Sequence, residues 1–355
     1  MDKLKDRIYG SMIGGAIGDA LGYPVEFDSF KAIQFHYGER GITRLQPNHP
    51  WHEEEGEKGK AVFSDDTQMT LFTANGLLNT KRLGMEDIAG IRNAYVEWYF
   101  TQMGKQSCPY HDCWIADLPE LNTNRAPGNT CLTALSTIIS GRVPNNNSKG
   151  CGGVMRIAPI PLYAVVNGRL SIDAADRLAG EAAKLTHKHP LGFIPAALMS
   201  HVIYRLATDE APTRQTLENY IHEGIEAMKS LYPQLPFDVA EMRELSEKAI
   251  SWADNDRSDV VNIEALGGGW TGEEALAISL YCACRHFDNF ENALIASVNH
   301  SGDSDSTGAV LGNILGAAIG YEAIPKFFLE DIELHDVILH MADDLYRGEI
   351  TERKK

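Results

Sequence analysis

The sequence predicts an all-α protein folded as a single large helical domain over residues 1–355. Three observations carry that expectation. Apolar residues recur with the i, i+3, i+4 spacing of a half-buried helix in six windows. Alternating runs rich in β-branched residues, the mark of strands, are few. No low-complexity tract, internal repeat or shift in composition marks a linker to a second unit.

The helical windows are, in order, Thr67–Leu78, Ile88–Phe100, Ala174–Leu185, Ile194–Leu206, Glu274–His286 and Asp331–Leu345. Gly and Pro gather between them, around Pro47–Gly59, at Ala126-Pro127-Gly128 and at Gly267-Gly268-Gly269, which read as turns and loops. The polar segment His49–Lys60 reads as an exposed loop or lid.

Of 355 residues, 44 % are apolar and 23 % charged, the balance of a globular chain. The 32 Lys and Arg against 49 Asp and Glu leave a formal charge of −17, which argues against a nucleic-acid partner, because phosphate neutralisation needs a basic footprint. No membrane partner is expected either. The most apolar candidates, Met12–Gly22 and Ala309–Gly320, are short and interrupted by Asp19 and Asn313, well below the roughly 20 apolar residues that span a bilayer. The start is charged and has no signal-peptide core, and the six cysteines include no CxxC pair, so a cytoplasmic protein with reduced thiols is expected. Cys108, His111 and Cys113 offer only half of a usual zinc ligand set.

Two glycine stripes stand out. Gly10, Gly14, Gly18 and Gly22 recur every fourth residue near the start, and Gly308, Gly312, Gly316 and Gly320 do so near the end. On helices, each stripe is a face without side chains along which another backbone can approach. Acidic residues flank both, Asp19 and Glu26 by the first, Asp303 and Asp305 by the second. Packing one stripe on the other would bring the two ends of the chain together at a carboxylate cluster.

Two acidic turns open apolar helices: Ser64-Asp65-Asp66-Thr67 and Gly302-Asp303-Ser304-Asp305-Ser306. Each has an ordinary capping explanation, since Ser or Asp caps a helix and acidic groups complement its dipole. Each also places oxygens at short intervals, as chains that hold hard divalent cations do. An EF-hand starting at Asp303 fails, because its twelfth position is Ile314 rather than a bidentate Glu. If the two turns met with Glu26 beside them, like charges about 4 Å apart would repel by about 4 kcal/mol per pair. Two divalent ions would relieve that repulsion and activate water. Two further segments suit ligand contact: the loop Ser148-Lys149-Gly150-Cys151-Gly152-Gly153, whose glycine amides could cradle phosphate, and Thr186-His187 at a helix end. A plain turn and a dipole-facing histidine explain them as well.

In their order along the chain, these segments resemble the ADP-ribosylglycohydrolase family, of the dinitrogenase-reductase-activating glycohydrolase type. The motifs are Gly14-Gly15-Ala16-Ile17-Gly18-Asp19-Ala20-Leu21-Gly22 with Glu26, Ser64-Asp65-Asp66-Thr67, Pro127-Gly128-Asn129-Thr130, Ser148–Pro159 followed by Leu185-Thr186-His187, and Gly302–Ser306. The resemblance implies a single compact, mainly orthogonal all-α domain with two Mg²⁺ or Mn²⁺ ions in a cleft, one held by Ser64, Asp65, Asp66 and Asp305, the other by Asp303, Asp305 and Ser306, with Asp305 as the bridge. It implies that Ser148, Lys149, Gly150, Cys151, Gly152 and Gly153 bind the diphosphate and ribose of ADP-ribose, with Asn129 and His187 lining the same ligand. The implied reaction is hydrolysis of the bond between C1″ of ADP-ribose and an acceptor on a modified protein, often an arginine guanidino nitrogen, with ADP-ribose as product. Asp65, Asp66, Glu26 and Asp303 are the candidate catalytic carboxylates. Two departures bear on the acceptor. Arg125-Ala126-Pro127 stands where some relatives carry an acidic residue, and Cys151 replaces an asparagine.

Other linkages fit the same motifs: serine, poly-ADP-ribose, O-acetyl-ADP-ribose or nucleic acid. A toxin-immunity role, with the loop His49–Lys60 against a toxin partner, is a further reading. A His-Asp phosphohydrolase, suggested by His111-Asp112, lacks the clustered histidines its metals need. An inactive binding relative would be expected to lose some of the four aspartates that are intact here.

Overall fold

Backbone hydrogen bonding is almost wholly helical. The computed structural model describes residues 2–47, 56–104 and 107–351, and the β pairings among them are two isolated bridges, Ala61 to Ile332 and Gly150 to Thr271. The helices begin with α1 (Lys3–Gly22), α2 (Phe30–Tyr37), α3 (Asp65–Leu83), α4 (Asp87–Met103), α5 (Asn129–Ile139) and α6 (Pro159–Val165). There follow α7 (Ile172–Lys184), α8 (Pro190–Thr208), α9 (Arg214–Leu231), α10 (Pro236–Trp252) and α11 (Asp259–Leu266). The last are α12 (Gly272–Arg285), α13 (Phe290–Val298), α14 (Ser304–Ile319), α15 (Lys326–Asp331) and α16 (His335–Arg347). One continuous hydrophobic core draws on helices from both ends of the chain.

The first five helical windows fall within α3, α4, α7, α8 and α12 to within one residue. Among the described residues, α8 is the one helix long and apolar enough to cross a membrane, and 83 % of its apolar window is buried inside the protein. Its packing against α7, α9 and α12 accounts for the apolar surface that the sequence puts there.

The two glycine stripes meet. Helices α1 and α14 run antiparallel, with Gly10 against Gly316, Gly14 against Gly312 and Gly18 against Gly308. A Cβ at Gly14 would stand 2.5 Å from the Gly312 carbonyl oxygen, closer than real Cβ atoms come to anything. Between the glycines, Ser11 Oγ donates to the Asn313 carbonyl at 2.8 Å and Asn313 Nδ2 donates to the Ser11 carbonyl at 2.8 Å. Glycine costs a helix about 1 kcal/mol per residue relative to alanine. Close backbone contact and these buried hydrogen bonds offset that cost. The contact sets the end of α1, at Gly22, against Ser304 at the start of α14.

The sixth window, Asp331–Leu345, is not one helix. The chain leaves α15 at Asp331, is extended at Ile332, turns through Glu333 and Leu334, and then re-enters a helix; Leu334 adopts a left-handed φ of 51°. Long-range pairing overrides the periodicity here. Ala61 N–H donates to the Asp331 carbonyl at 2.7 Å, and Glu333 N–H donates to the Ala61 carbonyl at 3.1 Å. The Glu333 side chain, fully buried, pairs with buried Arg125 at 2.7 Å and accepts the Phe63 N–H at 3.0 Å. Arg125 Nη1 also donates to the Phe63 carbonyl at 2.7 Å, so one buried ion pair fixes the segment just ahead of α3. Most of the loop His49–Lys60 lies outside the described residues, and its last residues, Gly56–Lys60, are exposed or half-buried.

Candidate active-site cleft

Three segments bring carboxylates to one cleft. The short turn Tyr23–Val25 after α1 presents Glu26, the start of α3 presents Asp65 and Asp66, and the start of α14 presents Asp303 and Asp305. The facing wall is the segment Ala126–Cys131, the loop Gly150–Gly152 with Met155, His187, and Trp270.

Asp19 fixes the start of α3. Its Oδ1 accepts the Ser64 N–H at 2.8 Å, while Oδ2 accepts the Thr67 N–H at 2.9 Å and the Thr67 hydroxyl at 2.6 Å. Two of the otherwise orphan backbone N–H groups at the helix start, and one hydroxyl, thus converge on a fully buried carboxylate from α1. Ser64 caps the same helix by accepting the Asp66 N–H at 3.2 Å, and Asp303 caps α14 by accepting the Ser306 N–H at 3.3 Å. Asp65 Oδ2 accepts the Gly128 N–H at 3.3 Å, tying α3 to the segment that enters α5.

The carboxylates are crowded and dry. One oxygen each of Glu26, Asp303 and Asp305 lies within 4.8 Å of the others, and this trio is the one such group of three metal-binding side chains among the described residues. Asp66 Oδ2 is buried with no hydrogen-bond partner. Burial, then the charge of Asp305, raises the pKa of Glu26, Asp65 and Asp66 far above the ordinary carboxylate range. Burial and Asp305 push Asp19 up to about 7 against the pull of its hydrogen bonds. Buried, mutually repelling oxygen donors with an unpartnered atom among them fit a hard divalent cation, whose preferred ligands are carboxylate oxygens.

His187 is buried and neutral, its pKa depressed to about 3 by desolvation and then by Arg156. Its Nδ1 lies 2.9 Å from the Thr186 hydroxyl, and the Nε2 edge lies against Gly150 and Gly152, where a Cβ on Gly150 would stand 3.3 Å from Nε2. The Cys151 thiol donates to Asp303 Oδ2 at 2.8 Å, and burial raises its pKa well above that of a free thiol.

Of the residues singled out in the sequence, Glu26, Asp65, Asp66, Asn129, Gly150, Cys151, Gly152, His187, Asp303, Asp305 and Ser306 line this cleft. Ser64, Ser148, Lys149 and Gly153 do not. Ser64 is fully buried beneath the start of α3, and Lys149 is paired with Glu273. Ser148 Oγ meets Thr130 Oγ1 at 3.1 Å, and Gly153 packs against the Gly192 carbonyl. The glycine loop is also less open as a cradle than its composition suggests. Cys151 N–H donates to the Trp270 carbonyl at 3.1 Å, and Gly150 N–H to Ser148 Oγ at 3.4 Å. The carboxylate trio includes Glu26, with Asp65 and Asp66 lining the same cleft outside it. Cys108, His111 and Cys113 form no such group: Cys113 is buried, His111 exposed, and Glu97 accepts the backbone N–H of Asp112 and Cys113 at 3.0 and 3.1 Å. Trp270 and Cys131 also line the cleft and were not singled out in the sequence, since one aromatic after a glycine run and one cysteine inside a helix carry no site signal of their own.

A model of the ADP-ribosylglycohydrolase family matches residues 1–355. The chain belongs to that family. Among its relatives, an uncharacterized protein of Archaeoglobus fulgidus is 26 % identical over 346 residues, covering 97 % of each chain. ADP-ribosylarginine hydrolase Tri1 of Serratia proteamaculans is 25 % identical, over 96 % of this chain and 79 % of that one. A solved ADP-ribosylglycohydrolase-related protein complex superposes with a TM-score of 0.69 over 98 % of this chain and 99 % of that one, at 21 % identity, which establishes the shared fold. The family is one of ADP-ribosyl hydrolases.

Proposed function

We propose that this chain removes ADP-ribose from modified proteins by hydrolysing the N-glycosidic bond to an arginine guanidino nitrogen, with two divalent ions, Mg²⁺ or Mn²⁺, among its carboxylates. The supporting observation is the convergence of Glu26, Asp303 and Asp305 from opposite ends of the chain beside Asp65 and Asp66. Arginine is the linkage in the name of the Serratia relative.

Asp65, Asp66, Asp303, Asp305 and Ser306 would hold the ions, with Glu26 beside them; when bound, the ions neutralise the cluster and lower the pKa of water. Breaking the bond builds positive charge on C1″, and the carboxylates beside it stabilise that charge in a site with little solvent. Asp66, with one buried oxygen unpartnered, is our choice to accept a proton from the attacking water. Glu26, half-buried beside Asp303 and Asp305, would hand one to the departing nitrogen. His187, with Nδ1 against the Thr186 hydroxyl and its Nε2 edge against Gly150 and Gly152, would line the diphosphate side of the ligand. All six cysteines are free, in keeping with a cytoplasmic enzyme.

A release assay across arginine-, serine- and nucleotide-linked ADP-ribose, with and without chelator, tests the reading. Release from arginine, abolished by chelator, is the expected result; release from serine or nucleotide alone would replace the linkage proposed here.

Stability provides an independent check on the ions. Asp19, Asp65, Asp66 and Asp305 bind protons more tightly in the folded chain than in the unfolded one, where carboxylates titrate near pH 4. The metal-free protein therefore loses stability as pH rises from about 4 through about 7. Divalent ions should restore it, by about 2.7 kcal/mol at a hundredfold excess over Kd. The expected rise in Tm on adding Mn²⁺ is larger at about pH 7 than at about pH 5, as read by calorimetry. An equal rise at both would argue against binding at these carboxylates.

A further inference from the structure

Phe27 and Trp270 are among the few large apolar side chains left in solvent, 77 % and 44 % exposed, yet they stack on each other with ring centroids 5.7 Å apart and planes 20° from parallel. Their placement is specific. Phe27 directly follows Glu26 of the carboxylate trio. Trp270 lines the cleft, and its loop is bound to the site on both sides: its carbonyl accepts the Cys151 N–H at 3.1 Å, and the Gly268 carbonyl accepts the Asp303 N–H at 2.8 Å. Both side chains keep substantial surface open to solvent beside the stack.

The charge around this pair has one sign. Five carboxylates, those of Glu26, Asp65, Asp66, Asp303 and Asp305, line the cleft, and no Lys or Arg is among its lining residues. Open π faces carry negative potential and attract cations, a planar guanidinium most of all because it also stacks. A neutral alkyl acceptor such as serine has neither charge nor plane to offer.

We infer that Phe27 and Trp270 form the acceptor subsite of this cleft, a π platform that holds the guanidinium of an ADP-ribosylated arginine and so selects arginine over serine linkages. The inference rests on the arginine reading above. It assigns the selection to two side chains that neither bind the ions nor move protons, so they determine specificity rather than catalysis.

The test uses the full chain loaded with Mn²⁺, and the variants Trp270→Leu and Phe27→Leu, which keep apolar bulk but remove the π face, with Trp270→Phe as the conservative control. Trp270→Leu is expected to raise KM for an arginine-linked substrate about 5- to 30-fold and to lower the arginine-to-serine ratio of kcat/KM in proportion, with Trp270→Phe within about threefold of wild type. Agmatine, which carries the free guanidinium, should bind the wild type in the presence of ADP-ribose and bind Trp270→Leu more weakly by the same factor. The Kd of ADP-ribose alone should shift less than about twofold. An unchanged KM, or agmatine that does not bind the wild type, overturns the inference. So does a matching loss of ADP-ribose affinity, which would place adenine on the stack. A wild type that releases nothing from arginine, while agmatine binding still depends on Trp270, would overturn the proposed linkage and leave the platform standing.

Discussion

Asp305→Ala is expected to lower ADP-ribose release by at least about 10²- to 10³-fold and, in the same protein, to raise the melting temperature measured without metal. The two effects share one cause. After burial, the charge of Asp305 is the largest contributor to the raised pKa of Asp19, Glu26, Asp65 and Asp66 alike. Like charges about 4 Å apart repel by about 4 kcal/mol at an effective dielectric of 20, so removing the central one relieves several unfavourable pairs at once. The same deletion takes away the oxygens around which a cation would bind. Calorimetric titration with Mn²⁺ should then show little heat, and the ion-induced rise in Tm should vanish. Asp303→Ala should lose activity similarly, with a smaller gain in metal-free stability. An Asp305→Ala protein that keeps turnover, or that Mn²⁺ still stabilises as it does the wild type, would remove the cluster from the mechanism.

The second large effect is on folding. Gly312→Val is expected to cost more than about 4 kcal/mol, enough to leave the protein largely unfolded or aggregated. A Cβ at Gly312 would run into the Gly14 carbonyl and the backbone around it, and backbone cannot rotate away as a flexible side chain does. Only separation of α1 from α14 relieves the overlap. That separation breaks the paired bonds of Ser11 and Asn313 and withdraws Glu26 from Asp303 and Asp305. Gly141→Ala makes the contrast. With φ of 73° and nothing within 4 Å of its added Cβ, it should cost about 1 kcal/mol, the penalty of a left-handed conformation alone. Thermal melts followed by circular dichroism check both variants. If Gly312→Val melts near the wild type, the helix pair is not the element that joins the ends of the chain.

What could be read from residues alone follows a physical division. Helices α3, α4, α7, α8 and α12 were legible because burial of one face imposes a period on neighbouring residues, and neighbours are what a sequence displays. Helices α1 and α14 were legible for another reason. Their glycines recur every fourth residue, a spacing with few uses other than close backbone contact. The acidic turns were legible as candidates because each is a local cluster of oxygens opening a helix. Asp19 showed only as a flanking charge, although its three hydrogen bonds position the whole start of α3.

By itself, then, the sequence determined an all-α chain, a glycine-lined contact between its two ends, and a set of carboxylates that this contact would gather. Tertiary structure decided what each of those groups meets. It broke the helix expected over Asp331–Leu345 so that Glu333 could pair with Arg125, drew Lys149 away to Glu273, placed Glu26 in the trio with Asp303 and Asp305, and stacked Phe27 on Trp270. The reason is one of range. Periodicity and capping are interactions between residues a few positions apart, whereas an ion pair, a π stack or a crowd of buried charges joins residues hundreds of positions apart, and only folding brings those within reach of one another.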